Sequence, residues 1–354
     1  MSGERVDVSV LIPARDEERD IREAVASMRA QQFGGTIEFL FMDGASRYRT
    51  REILSELAAE DPRIRVFDNP RATTPCGLNI GLRHARGTYV ARMDAHAHYP
   101  PHYLQRAVER LDAGDVTQVF GPQIPEGSSP WGRRIALALS SSLGTAWSRR
   151  WAEGHAGEEV EAETGVFTGV WRRDVVEALG GWDEGWPINQ DSELAARIRA
   201  DGGRIVCLPE LAAVYVPRDT LRALARQYFR YGMYRAKTAL RHPETVRPQH
   251  LVAPAFAVTA VAALLTPRPV RSLARLGVAA YGGLVAFTAA RSEAPRSDAA
   301  ALPLALAIMH LAWGAGYLIG AVRFAGVRAG RGAPARGAAA AGAGAEGARR
   351  PGSP

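Results

Sequence analysis

Two acidic clusters stand out in this chain by residue type and spacing. The strand-like run Thr88 to Met93 ends in Asp94-Ala95-His96, and far downstream comes Asn189-Gln190-Asp191-Ser192-Glu193-Leu194. An apolar, β-branched run that stops at a carboxylate delivers that carboxylate to the C-terminal edge of a sheet, where α/β folds bind ligands. In an extended chain His96 points to the same side as Asp94, so the pair is a candidate grip for one divalent cation. An imidazole in place of a second carboxylate suits Mn²⁺ better than Mg²⁺. Asp191 stands just ahead of the apolar periodicity Leu194 to Ile198, where it is either a helix N-cap or a general base. A metal to carry a leaving phosphate and a base to activate an alcohol are the tools of group transfer from a nucleotide.

Such residues need a scaffold, and the first half of the chain reads as one. Val6 to Ile12, Ile37 to Met42, Ile64 to Phe67 and Thr88 to Met93 read as strands. Between them Glu17 to Arg29, Thr50 to Ala59 and Gly77 to His84 read as helices. Alternation of this kind predicts an α/β fold with a mostly parallel sheet and right-handed crossovers. Its ligand edge would carry Pro13 to Glu17, Asp43 and Asp94. Asp43 before Gly44 is a turn former or a partner for a nucleobase or ribose, and Glu17 complements a helix start or touches the same ligand. A further strand is expected at Gln118 to Pro122, an apolar helix at Trp131 to Trp151, and an exposed loop at Trp151 to Glu163. Gly180-Gly181-Trp182-Asp183-Glu184 sets an aromatic face beside acids, an arrangement suited to holding a sugar ring.

The net charge is +7 with a pI near 9.8. The arginines are spread along the chain without any nucleic-acid-binding motif, so nucleic acid is not an expected partner. Cys76 and Cys207 stand in no metal-type spacing, which excludes a disulfide scaffold and fits a reducing compartment. The polar stretch Met1 to Asp7 has no apolar core of a secretory signal, which puts the catalytic half in the cytoplasm. Leu221, Leu224, Ala225, Tyr228, Phe229 and Gly232 follow helical spacing, with Arg222, Arg226 and Arg230 on another face. That is a basic amphipathic helix, either lying on anionic lipid or covering a core stripe with a solvated arginine face.

Beyond Gln249 the composition turns apolar, over Leu251 to Leu265, Leu273 to Ala290 and Ala299 to Val322. The first is shorter than the ~20 residues that cross a bilayer, and arginines follow the first and third. This predicts two spans in the second and third segments, the first being re-entrant or interfacial unless all three cross. The Gly-, Ala- and Arg-rich tail from Ala329 is expected to be disordered.

The motifs Val10-Leu11-Ile12-Pro13-Ala14-Arg15-Asp16-Glu17, Asp43-Gly44-Ala45-Ser46, Gly77-Leu78-Asn79-Ile80-Gly81, Arg92-Met93-Asp94-Ala95-His96, Gly180 to Glu184 and Asn189 to Leu194 are collinear. As a set they resemble a family 2 inverting glycosyltransferase of GT-A fold, in the succinoglycan-type glucosyltransferase branch. The resemblance implies that Pro13, Ala14, Arg15, Glu17, Asp43, Asn79, Arg92 and Asp94 bind a nucleotide sugar, with Asp94 and His96 on a divalent cation, Mn²⁺ or Mg²⁺. Asp191 would be the catalytic base, and Trp182, Asp183 and Gln190 would lie on the acceptor side. Gln227-Tyr228-Phe229-Arg230-Tyr231 is similar to the Gln-x-x-Arg-Trp box of membrane synthases, with Tyr in place of Trp. Gln227 would then serve the acceptor end and Arg230 the diphosphate.

Two departures stand out: Arg47-Tyr48-Arg49-Thr50 replaces the usual Thr-Asp-Gly-Thr, and His96 replaces a second Asp. The expectation is a hexosyltransferase, with glucose as the hexose, moving sugar from a UDP donor to a lipid-linked (polyprenyl diphosphate) saccharide at the cytoplasmic face of the cell membrane, as a multi-pass protein. Its expected units are a catalytic domain at 1–220, an interfacial helix region at 221–249, a membrane region at 250–323 and a tail at 324–354. The alternatives are transfer directly to polyprenyl phosphate or another lipid, and a non-catalytic scaffold with a degenerate nucleotide site.

Overall fold

The computed structural model describes residues 5–144, 158–164 and 168–327. In the first half β1 (Val8–Ala14) leads to α1 (Ile21–Arg29), β2 (Ile37–Asp43) to α2 (Thr50–Glu60), and β3 (Ile64–Asp68) to α3 (Thr74–His84). Then come β4 (Tyr89–Arg92), β5 (Ala97–His98), α4 (Tyr103–Asp112), β6 (Gln118–Phe120), β7 (Gln123–Pro125) and α5 (Pro130–Ser140). The α/β part is completed by β8 (Val160–Glu161), β9 (Gly169–Arg172), α6 (Arg173–Ala178), α7 (Gln190–Ala200), β10 (Ile205–Cys207) and β11 (Ala213–Tyr215). Five helices follow: α8 (Leu221–Arg241), α9 (Gln249–Leu265), α10 (Arg268–Ala290), the short α11 (Arg296–Ala299) and α12 (Leu302–Arg323).

The main sheet runs β3-β2-β1-β4-β9-β6-β10-β8. β1 to β4 pair in parallel, whereas β9 runs antiparallel to both β4 and β6. β1 and β2 are buried almost throughout, as parallel strands covered on both faces must be. Alternation sends Val8, Val10 and Ile12 toward α1 and α4, and Leu11, Leu40 and Met42 toward α3 and α7, giving a core on each face. Phe39 and Phe41 are fully buried there, each contributing about 1.5–3 kcal/mol of transfer free energy. A second sheet, β5-β11-β7, ties the turn after β4 to the start of α8. Its strands of two or three residues are too short to carry a periodicity and were not expected.

Two expectations change. The helix expected over Trp131 to Trp151 stops at Ser140, where Ser141 turns extended, and positions 145–151 lie outside the described residues. The loop expected up to Glu163 contains β8, which pairs antiparallel with β10 at the sheet edge; its positions 151–157 lie outside the described residues, as does the tail from 328.

The two spans expected in the second and third apolar segments have helices to match. Residues 268–290 and 296–323 form helices long and apolar enough to cross a membrane, while α9 is shorter. Yet α12 runs lengthwise along α8, and a Cβ at Gly232, Gly316 or Gly320 would collide with the backbone carbonyl of Trp313, Phe229 or Met233. Its N-terminal approach is tied to α5 by Arg134–Asp298 (3.0 Å), and beyond its other end Phe324 meets Tyr234, ring centroids 5.6 Å apart. Both ends of α12 therefore rest on the α/β unit and its helix α8. Exposed apolar side chains are most numerous on α9 and α10, at Val258, Val261, Leu264, Leu265, Val270, Leu273 and Leu276, and α12 adds Leu304, Ile319 and Val322.

Candidate active site

Backbone pairing builds one wall of the site. Ala14 lies opposite Asp43, Asp43 opposite Asp68, and Leu11 opposite Arg92, so the expected residues share one sheet edge. Gly44 N–H donates to the Ala14 carbonyl (2.8 Å), and the Ser46 hydroxyl donates to Asp43 Oδ1 (2.6 Å) while accepting from Asp16 N–H (3.0 Å). Arg15 is exposed and reaches the Ala72 carbonyl, and Pro13 is half-buried. Asp16, Ala45 and Ala72 all have φ between 51° and 57°, and Asn189 has φ 61°. Four non-glycine residues held left-handed at the edges of one site is the kind of local strain that clusters at ligand-binding loops. The departure Arg47-Tyr48-Arg49 finds its account here. Arg47 clamps Asp16 with its backbone N–H (2.8 Å) and guanidinium (2.7 Å), joining the loops after β1 and β2, while Arg49 pairs with Glu52 on the surface.

At the end of β4, Arg92 is buried and forks onto Asp94 through Nε (3.0 Å) and Nη2 (3.2 Å), leaving Nη1 buried without a hydrogen-bond partner among the described residues. Asp94 N–H donates to the Tyr99 hydroxyl (2.8 Å). His96 Nδ1 lies 3.1 Å from Glu17 Oε1. Burial disfavours the imidazolium of His96, but the Glu17 hydrogen bond and the charges of Glu17 and Asp94 outweigh it and raise the pKa. Asp191 lies in the first turn of α7, and the cap position belongs to Asn189, so the simple N-cap reading of Asp191 falls away. Enclosure pushes the Asp191 carboxyl above its ordinary range against the pull of Arg92, and the charge of Asp94 adds to the rise. Arg92 is hydrogen-bonded to Asp94 and lies within electrostatic reach of Asp191, which comes from a distant part of the chain.

Asp94 and His96 fit a divalent cation. A dication that shares a diphosphate needs only one or two protein ligands, with phosphate and water completing the shell. Glu17 stands behind the imidazole as a carboxylate does behind a metal-ligating histidine. Among the described residues no larger cluster of metal-ligating side chains is assembled.

The opposite wall is held by side chains. Asn79 donates to the Trp182 carbonyl (2.8 Å) and accepts from Trp182 N–H (2.9 Å), so its amide, expected on the donor, is committed to this loop. Trp182, expected to face a sugar, is buried edge-on against Trp171 in the core beneath the loop. Asp183 caps the turn at Gly185 N–H (2.8 Å), and Gln190 is buried at the start of α7. Glu193 is buried and paired with Arg197 (2.7 Å), and Arg197 also donates to the Leu179 and Gly181 carbonyls. His242, just past α8, reaches Glu193 (3.4 Å), while Trp186 donates to Thr238 (3.0 Å) and Lys237 to the Gly185 carbonyl (2.6 Å). Burial opposes the ionisation of Glu193, yet the His242 and Arg197 hydrogen bonds more than offset it and leave the pKa lowered.

Gln227 donates to the Tyr231 hydroxyl (2.8 Å), and Arg230 is exposed on another face of α8. Two residues that the sequence reading did not assign to the site face it. Tyr231 lies within electrostatic reach of Asp191, Asp94 and Arg218, and Arg218 within reach of His96. The signal for Tyr231 was present in its place, one helical turn after Gln227. Arg218 gave none, because β11 brings it there by pairing with β5, with Val216 N–H on the His96 carbonyl (3.4 Å).

Comparison with known proteins follows this geometry. Residues 9–169 match the family model described as "Glycosyl transferase family 2". The chain is 32% identical over 317 residues to the succinoglycan biosynthesis protein ExoA of Rhizobium meliloti (strain 1021), covering 87% of this chain and 93% of that protein. It is 28% identical over 181 residues to the undecaprenyl-phosphate 4-deoxy-4-formamido-L-arabinose transferase of Pseudomonas aeruginosa (strain LESB58), 49% of each chain. The mannosyltransferase PcManGT from Pyrobaculum calidifontis, solved in complex with GDP-Man and Mn²⁺, superposes with a TM-score of 0.56 at 20% identity, covering 87% of this chain and 88% of that one. That likeness shows the fold, GT-A.

Proposed function

The chain belongs to glycosyl transferase family 2, and from that premise we propose that it moves a hexose, with glucose the first to test, from a UDP-sugar to a lipid-linked saccharide in exopolysaccharide or cell-envelope glycan synthesis. The observation that carries this reading is buried Arg92 paired with Asp94 at the sheet edge and within electrostatic reach of Asp191. Likeness to a succinoglycan biosynthesis protein over most of both chains supports the pathway class.

In this reading Asp191 accepts the proton of the acceptor hydroxyl, and its raised pKa strengthens it as a base. The hydroxyl oxygen bonds to the anomeric carbon as the bond to the UDP oxygen breaks on the opposite face, so the configuration inverts. Arg92 fixes the direction of the Asp94 carboxylate, and Glu17 fixes the His96 ring. A divalent cation held by Asp94 and His96 supplies, when bound, Lewis-acid stabilisation of the departing diphosphate. Asp43, Glu17 and the turn at Asp16 receive the nucleoside, while Asn79 and Glu193 hold the loop on the acceptor side.

We read residues 1–220 as the catalytic unit on the cytoplasmic side, 221–249 as an interfacial region, 250–323 as the membrane region and 324–354 as a tail. Exposed apolar side chains on α9, α10 and α12 support a membrane anchor, which we read as multi-pass, and exposed Arg222, Arg226 and Arg230 on α8 suit anionic lipid. A second reading, transfer directly to a polyprenyl phosphate, draws support from the likeness to an undecaprenyl-phosphate transferase. The test is consumption of UDP-glucose by the purified full-length protein with lipid-linked acceptors. Turnover by wild type and none by Asp191→Asn supports the reading, and equal turnover by both removes Asp191 as the base.

A further inference from the structure

A cavity of about 610 Å³ opens outside the catalytic cluster, in the seam between the α/β unit and the base of the α9–α10 hairpin. β7, the end of α5, the end of α10 with the following turn, and Leu302 of α12 form its walls. It lies close to the chemistry by strand count. Pro125 on its wall pairs with Tyr215, and Tyr215 pairs with Ala97, the neighbour of His96. Two strand spacings amount to about 10 Å.

The lining has two characters. Ile124, Leu137, Phe287 and Leu302 are apolar, whereas Ser140 to Ser142, Thr288, Ser292 and Arg291 present hydroxyls and a cation. The Arg291 guanidinium lies over the Phe287 ring, 5.0 Å from its centroid, and meets no carboxylate in an ion pair among the described residues. Glu293, also on the wall, is exposed. Phe287 is itself exposed and continues the apolar face of α10 through Leu284, so a path for an acyl or prenyl chain runs from the outer surface of the hairpin into the cavity. A volume in this range suits a ligand-sized guest, and mixed walls suit an amphiphile.

We infer that this cavity binds the phosphate-bearing end of the lipid-linked acceptor and the first part of its apolar chain, with Arg291 on the phosphate, so that the sugar projects along β7 and β11 toward Asp191. The inference rests on the proposed transferase reading and names the place of its acceptor. A bulk phospholipid offers the same chemistry, a phosphate on an apolar chain, and the experiment separates the two.

Full-length protein in detergent is titrated with a fluorescent farnesyl diphosphate, with phosphatidylglycerol as competitor, and separately with UDP. Arg291→Gln should weaken farnesyl diphosphate binding about tenfold or more, the loss of one charge-assisted contact, and Arg291→Lys should keep most of it. Ile124→Trp, placed on a half-exposed wall residue, should block the cavity without opening the core. UDP binding and thermal melting should stay at wild-type values in all three. Wild-type affinity for farnesyl diphosphate in both Arg291→Gln and Ile124→Trp would overturn the inference, as would displacement by phosphatidylglycerol at equal concentration, which marks a bulk-lipid site. If wild type consumes no UDP-glucose, the transferase reading fails, while the farnesyl diphosphate arm still decides the site.

Discussion

At the ends of β1, β2 and β4 the residues of the site are placed by main-chain pairing, with Ala14 opposite Asp43 and Leu11 opposite Arg92. The loop from Gly180 to Trp186, by contrast, is held by side chains reaching from three elements: Asn79 of α3, Arg197 of α7, and Thr238 and Lys237 of α8. The first wall depends on the register of buried strands, which a single side-chain change does not move. The second depends on a few hydrogen bonds, each carrying the position of the loop. Donor binding should therefore survive most substitutions that disturb the acceptor side.

The largest expected effect tests whether the two walls share one reaction. Asp191→Asn should lower kcat by about 10²- to 10⁴-fold, the range for losing a general base, with UDP affinity unchanged in a calorimetric titration. Next, Glu193→Gln removes the carboxylate between Arg197 and His242. Breaking a buried pair in this way costs about 3–5 kcal/mol, read as a lower melting temperature. The same group sets a pH dependence. Because the folded pKa of Glu193 is lowered, its contribution is complete above the unfolded value near ~4.3 and is lost as pH falls through the folded value. Wild type should lose stability along that acid limb, and Glu193→Gln should flatten it. Glu38, buried at the start of β2 with Ser9, Arg86 and Arg65 and likewise lowered, makes a matching contribution at the sheet edge opposite Asp43 that remains in the variant.

Asn79→Ala should cost about 1–3 kcal/mol by leaving the Trp182 backbone groups unpaired. It should raise KM for the acceptor while leaving UDP binding near wild type; the reverse pattern would place Asn79 on the donor. Smallest is Arg47→Ala. Its ion pair with Asp16 is exposed on the arginine side, and such pairs contribute about 0–1 kcal/mol. A melting shift too small to resolve, with normal UDP affinity, is expected.

The same contrast explains what the sequence made legible. Val10 to Pro13, Ile37 to Asp43 and Thr88 to Asp94 state their structure locally, because parallel buried strands read as apolar runs and their carboxylates follow at the ends. The alternation of strands with helices was enough to place Glu17, Asp43 and Asp94 on one edge. Trp182 is different. Its type suggested a sugar platform, but Trp171 from β9 packs edge-on against it, a contact fixed by tertiary packing. Arg218 and His242 owe their positions to partners far away in sequence, so no local pattern announces them. What the apolar segments left unread is packing, because hydrophobicity reports the length of a helix and leaves open what it packs on. Gly232, Gly316 and Gly320 bring α12 against α8 along its length, and an apolar window does not reveal that partnership.

The central claim is that Asp94 and Asp191 serve one bound nucleotide sugar in separate roles. It is tested most directly by titrating UDP into wild type, Asp94→Ala and Asp191→Asn, each with and without Mn²⁺. The account predicts that wild type and Asp191→Asn bind UDP alike and gain affinity from Mn²⁺, while Asp94→Ala loses that gain. A Mn²⁺-dependent gain that persists in Asp94→Ala, or that disappears equally in Asp191→Asn, would contradict it.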